Sequence, residues 1–275
     1  MDGNGDPWGL DRIDQRNLPL SRTYTYTTTG AGVRVYIIDT GIQTSHSQFG
    51  GRASAVYDAF GGNGQDCHGH GTHVAGTTSG STWGVAKGSL PRAVRVLNCS
   101  GSGSTSGIIA GINWVRTNHI KPAVANLSLG GGFSSSLNTA VNNLAAAGVF
   151  VAVAAGNSNA SACNASPASA TGVFSTASST RTDAKSSFSN HGSCVEGYAP
   201  GSSIRSAWLN GGANTISGTS MASPHVAGVA ALYKSANGDA SQSTITTFLI
   251  NSATAGVITG NPSGTPNRLL FKGTL

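Results

Sequence analysis

Three residues of the types needed for nucleophilic acyl chemistry stand at the ends of apolar segments. Ser220 opens the run GTSMASPHVAGVAALY, residues 218–233, which is apolar or small on nearly every side. A helix of that composition is buried, because a surface helix shows a polar stripe. Its amino end gathers unpaired N–H groups and the positive end of the helix dipole, and both favour negative charge. A serine there suits a nucleophile whose product is an oxyanion, and it equally suits a plain N-cap. Asp39 closes VRVYIID, residues 33–39, a β-branched run without alternation that predicts a central strand covered on both faces. A carboxylate at the carboxyl end of such a strand lies where α/β sheets place their ligands; it could also cap whatever follows. His70 lies at the start of a small-residue helix within HGHGTHVAG, residues 68–76, with His73 three residues on. An imidazole titrates in the range needed to take a serine's proton. A zinc site through Cys67, His70 and His73 is disfavoured, since HExxH is absent and no further acidic or thiolate ligand has suitable spacing.

The elements that must position these residues follow from the hydrophobic pattern. Residues 93–98, 123–130 and 149–157 read as strands, and 104–118 and 135–148 as helices with Ser/Thr start signals. Repeated strand–helix–strand units predict an α/β fold with a mostly parallel central sheet and helices on both faces. Short strands near 172–178, 194–199 and 203–208 and a helix over 241–251 complete the pattern. No linker-like composition shift and no repeat divides residues 1–275, so one domain is expected.

Charged residues make up only 9% of the chain, where about 25% is usual. The net charge of +6 is scattered singly, with no basic run interleaved with aromatics, so nucleic acid is not an expected partner. No apolar run approaches the ~20 residues that span a bilayer, and no membrane partner is expected. Met1 is followed by a polar Gly/Asn/Asp segment rather than a signal peptide, as at the start of a mature chain. Neither a GxxxxGK[ST] loop nor a GxGxxG turn in strand–helix context is present, which argues against a nucleotide enzyme. Four cysteines without a CxxC pair point to two bridges in an oxidising compartment, with three pairings open. Asp11, Asp14 and Gln15 fall within one helical turn, an oxygen cluster of the kind calcium favours, or simply a solvated helix face.

The blocks IIDTG (37–41), HGTHVAG (70–76), AAGN (154–157) and GTSMASPHVAG (218–228) resemble the signature motifs of subtilisin-like serine proteases. They occur in the subtilisin order Asp…His…Ser. The cysteine positions and WGLDRIDQR (8–16) are similar to the proteinase K branch, particularly its bacterial aqualysin-like members. The resemblance implies a three-layer subtilisin-like α/β fold and a serine endopeptidase working through an acyl-enzyme on Ser220. In that reading His70 is the general base and acid, Asp39 orients it, and Asn157 joins the Ser220 N–H as oxyanion donor. Peptide would add as a strand to the edges Ser100-Gly101-Ser102-Gly103 and Ser128-Leu129-Gly130. Leu129, Gly130, Ala154, Ala155 and Gly156 would line a primary pocket for apolar or aromatic side chains. Disulfides Cys67–Cys99 and Cys163–Cys194 are implied. So is structural Ca2+, at Asp11, Asp14, Gln15, Ser21 and Thr23 and at Thr171, Val173 and Glu196. Ser21 and Thr23 stand where relatives carry stronger ligands, and Glu196 where Asp is usual. The resemblance further implies a secreted, extracellular monomer acting on proteins and peptides, matured with an N-terminal propeptide. The alternative reading is a catalytically silent binding protein of the same fold.

Overall fold

In β1 (Arg34–Asp39) successive side chains enter opposite cores: Val35 and Ile37 join one cluster, Tyr36 and Ile38 the other. This strand is the middle of the molecule, a computed structural model that describes residues 7–275. The polar start of the chain, residues 1–6, lies outside the described residues. Before β1 comes α1 (Trp8–Asp14), and after it β2 (Ser54–Asp58), α2 (His70–Ser79) and β3 (Leu90–Arg95). Next follow α3 (Thr105–Asn118), β4 (Ala123–Leu127), β5 (Gly131–Gly132), α4 (Ser135–Ala146) and β6 (Phe150–Ala154). β7 (Ala165–Ser166), β8 (Phe174–Ser179), β9 (Gly197–Pro200), β10 (Ile204–Ala207) and β11 (Ala213–Ile216) precede α5 (Thr219–Asn237). α6 (Gln242–Ser252), β12 (Thr254–Ala255) and β13 (Arg268–Leu269) complete it.

The main sheet runs β12-β13-β9-β8-β6-β4-β1-β3-β2. Its pairs are parallel except β12 with β13. α1, α2, α5 and α6 cover one face and α3 and α4 the other, giving the expected three layers. Ser104, Ser134 and Ser241 cap α3, α4 and α6 with their hydroxyls.

The chain leaves β1 for β2 and β3 on one side, then crosses by α3 to β4 on the other. The carboxyl ends of β1 and β4 therefore flank a topological switch point, where open α/β sheets form their crevice. Asp39 ends β1 at this point. The strands predicted over 123–130 and 149–157 stop at Leu127 and Ala154, their last paired residues. What lies beyond is free to wall a cavity rather than a sheet. β2, at the sheet edge, carries no apolar run and was invisible to the hydrophobic pattern; its residues are only half-buried.

Candidate active site

Ser220 lies in the first turn of α5, whose N-cap is Gly218 and whose amino end has no side-chain cap. The plain capping reading of Ser220 is therefore excluded. The Ser220 N–H is among the first-turn donors that a helix leaves unpaired. Thr219 ties this turn to the end of β6: its N and Oγ1 both donate to Asn157 Oδ1 at 2.9 Å, and Gly156 N donates to Thr219 Oγ1 at 3.0 Å. With Oδ1 held, the Asn157 amide presents Nδ2 as its free end, beside the Gly218 turn.

His70 begins α2, and its Nδ1 lies 2.7 Å from Asp39 Oδ1. Two glycines make this approach possible. Gly69 has φ +108° and packs on the Trp208 indole, and Gly71 has Gly41 O where a side chain would stand. Asp66 satisfies the amino end of α2. It accepts from Gly69 N and Thr72 N at 2.9 Å each, and from Thr40 Oγ1 at 2.9 Å. Sequence reasoning missed Asp66; an acidic residue just ahead of a helix start is the signal that marks it. Burial pulls the His70 pKa down, but Asp39, by charge and hydrogen bond, and Asp66, by charge, outweigh it and raise it above 6.5. His73, one turn on, is buried and donates through Nε2 to Ile204 O (3.0 Å) and Asn214 O (3.2 Å). Burial lowers its pKa to about 3, so it packs as a neutral ring. Ser220 Oγ donates to Ser128 O at 3.1 Å rather than to His70.

A cavity of about 450 Å³ opens beside Ser220. Leu129, Gly130, Ala154, Ala155 and Gly156, the residues named for a primary pocket, line it together with Asn157. Its far wall, unreadable from sequence, comes from Gly131, Gly132, Asn164–Ser166, Ala168 and Asn190. The lining carries no charged side chain. A neighbouring cavity of about 440 Å³ is lined by both predicted edges, Ser100–Gly103 and Ser128–Gly130, together with His68, His70 and Leu97. Cys67–Cys99 and Cys163–Cys194 are bonded as expected and brace loops beside the two cavities.

Residues 30–270 match the family model described as the Subtilase family. This chain is a member of the subtilase family. It is 55% identical over 268 residues to "Extracellular serine proteinase" of Thermus sp. and 56% identical over 267 residues to "Alkaline serine exoprotease A" of Vibrio alginolyticus. Each alignment takes in 96% of this chain, which spans 65% and 50% of those relatives' lengths. The crystal structure of a cold adapted subtilisin-like serine proteinase superposes with TM-score 0.95 at 52% identity, covering 98% of this chain and 99% of that one.

The two calcium sites expected of this subtilase differ in how well its residues fit a cation. Near α1 the oxygen ligands are gathered but already engaged. Asp11 accepts from Ser21 N (3.2 Å), Ser21 Oγ (2.9 Å) and Arg22 N (2.7 Å). Asp14 accepts from Thr25 N at 2.7 Å and from the Lys272 ammonium at 2.9 Å. Gln15 Oε1 accepts from Ser21 N, and Thr23 Oγ1 pairs with Ser21 Oγ. The set Asp11, Asp14, Gln15, Ser21 and Thr23 therefore does not fit a metal: Lys272, from the far end of the sequence, already supplies a positive charge. Thr171, Val173 and Glu196 do fit one, as they line a cavity of about 570 Å³ together. Burial raises the Glu196 pKa to about 7, and no ion pair among the described residues includes it. The Glu196 carboxylate also accepts the Ser175 N–H; desolvated and without a paired cation, it is a ligand suited to a hard cation.

Proposed function

We propose that this chain is a serine endopeptidase that cleaves peptide bonds through an acyl-enzyme on Ser220. The observation that carries the reading is that two cavities meet at Leu129 and Gly130, one lined by Ser220 and Asn157, the other by the His70 that Asp39 holds. Ser220 Oγ leaves Ser128 O and attacks the scissile carbonyl while His70 Nε2 takes its proton. Asp39 holds the imidazole with Nδ1 protonated and stabilises the imidazolium that forms. The tetrahedral oxyanion receives N–H donors from the Ser220 backbone and Asn157 Nδ2, a pair fixed before the reaction begins. His70 then protonates the leaving amine, and water repeats the sequence on the acyl-enzyme.

The cavity favours apolar and aromatic side chains before the cleaved bond, because its lining offers no charge to pair with a charged one. The edges Ser100–Gly103 and Ser128–Gly130 receive the substrate backbone as an added strand. Thr171, Val173 and Glu196 would hold a structural calcium ion, whose charge would neutralise the buried Glu196 carboxylate. A Thermus relative named extracellular and two disulfides support a secreted protein.

Intact mass after treatment with a sulfonyl fluoride tests the reading. One stoichiometric adduct, absent in Ser220→Ala, is expected. No adduct on folded protein would exclude an activated Ser220 and leave a silent binding protein as the answer.

A further inference from the structure

α5 contains a proline at position 224, fully inside the helix. Proline has no N–H, so the carbonyl four residues earlier, that of Ser220, loses its helical partner. The vacancy is filled from outside the helix: Ser128 Oγ donates to Ser220 O at 2.7 Å. Ser128 is itself held, because Asn126 Nδ2 donates to its Oγ at 2.8 Å. Asn126 is held in turn by Ser223 Oγ, which donates to Asn126 Oδ1 at 2.6 Å. Asn126 and Ser223 are 0% exposed and Ser128 is 3% exposed. The path leaves α5 at Ser223, passes through the end of β4, and returns to α5 at the nucleophile.

We propose that Ser223, Asn126 and the Ser128 side chain form a positioning relay that fixes the peptide plane of Ser220. The hydrogen bonds allow one direction only. Ser220 O can only accept, so Ser128 gives it its single proton and must itself receive Asn126 Nδ2, which turns Asn126 Oδ1 toward the Ser223 hydroxyl that donates to it. Ser128 receives that N–H on a lone pair, and its own proton is left for Ser220 O. Ser128 then grips the nucleophile twice, holding the Ser220 carbonyl with its hydroxyl and the resting Ser220 hydroxyl with its carbonyl. Loss of the Ser223 hydroxyl leaves Asn126 Oδ1 bare in a dry site and frees the amide to turn over. A turned amide offers an acceptor to Ser128, whose proton is drawn away from Ser220 O. The first turn of α5, which carries both the attacking oxygen and an oxyanion donor, is then no longer fixed, and small displacements of such groups cost large factors in rate.

The test compares Ser223→Ala, Ser223→Thr, Ser128→Ala and the double variant Ser223→Ala/Ser128→Ala, each shown to be folded by thermal unfolding. The readouts are kcat and KM on a chromogenic peptide and the rate constant for sulfonylation of Ser220. Ser223→Ala is expected to lower kcat and the sulfonylation rate together by about 10-fold or more, with KM within about twofold. Ser223→Thr keeps the donor and restores most of both rates. The double variant is expected to be no slower than the worse single one, because both act through the same hydroxyl. If Ser223→Ala does not fold, Ser128→Ala carries the same kcat and sulfonylation reading. The relay is overturned if a folded Ser223→Ala or Ser128→Ala reacts at parental rates. Independent losses that multiply in the double variant, as two separate packing defects would, also overturn it.

Discussion

Asp39 reaches His70 with one carboxylate oxygen only: Oδ1 lies 2.7 Å from Nδ1, while Oδ2 is buried without a hydrogen-bond partner. The same Oδ1 also accepts from Thr40 N at 2.7 Å, which fixes the plane of the carboxylate. The geometry orients the imidazole and raises its pKa, and the pH dependence of the reaction follows from that. The base must be neutral, so the acid limb of kcat/KM is expected above pH 6.5. Asp39→Asn removes the larger raising influence and leaves the burial with only the smaller pull of Asp66 against it. Its limb moves to lower pH, and kcat falls by about 10⁴-fold, as for the equivalent change in a serine protease triad. A pH–rate profile of both proteins checks this.

Asn157 offers a separate reading of the oxyanion site. Its Oδ1 is spent on Thr219, so only Nδ2 is available to a substrate oxygen. Asn157→Ala is expected to lower kcat by about 10²–10³-fold with little change in KM, the loss known for the matching amide of subtilisin. Steady-state kinetics on one peptide suffice.

Two histidines outside the chemistry set the acid stability. Burial lowers His73 to about 3 and His225 to about 4. Both bind a proton more readily unfolded than folded, so their contribution is complete above pH 6.5. It is lost as pH falls toward those values, on the order of 3 kcal/mol each by pH 4. Glu196 acts with the opposite sign: raised to about 7, it withdraws stability between its ordinary 4.5 and 7 in calcium-free protein. Urea unfolding of Ser220→Ala from pH 4 to 7 should therefore show stability rising with pH. His225→Gln should flatten that slope whatever it does to stability overall.

The Lys272–Asp14 pair predicts how the amino-terminal cluster answers to calcium. Lys272 is 3% exposed, and its Nζ also donates to Leu275 O at 2.8 Å. Lys272→Met keeps the stem and removes the charge, leaving Asp14 without its cation. Its unfolding midpoint in chelator is expected to fall by roughly 5 °C. Calcium should restore the midpoint of the variant. In a Glu196→Gln background, which removes the other site, calcium should leave the midpoint unchanged while Lys272 is present. Scanning calorimetry with and without calcium decides it.

The sequence by itself determined the layers and the ends of the elements that carry Asp39, His70 and Ser220. A β-branched run such as VRVYIID predicts a central strand, and a long small-residue run such as MASPHVAGVAAL predicts a buried helix. Asp39, His70 and Ser220 sit at the tips of these segments, so their motifs and their places in the fold were legible together. Tertiary structure alone decided what depends on contacts between distant segments. Lys272 meets Asp14 across 258 residues of chain, and no local pattern announces it. Asn126 lies inside an apolar strand, where its amide has meaning only because Ser223 and Ser128 are brought to either side of it. Local periodicity reports which face of an element is covered; which polar atom meets which is fixed only when the layers close.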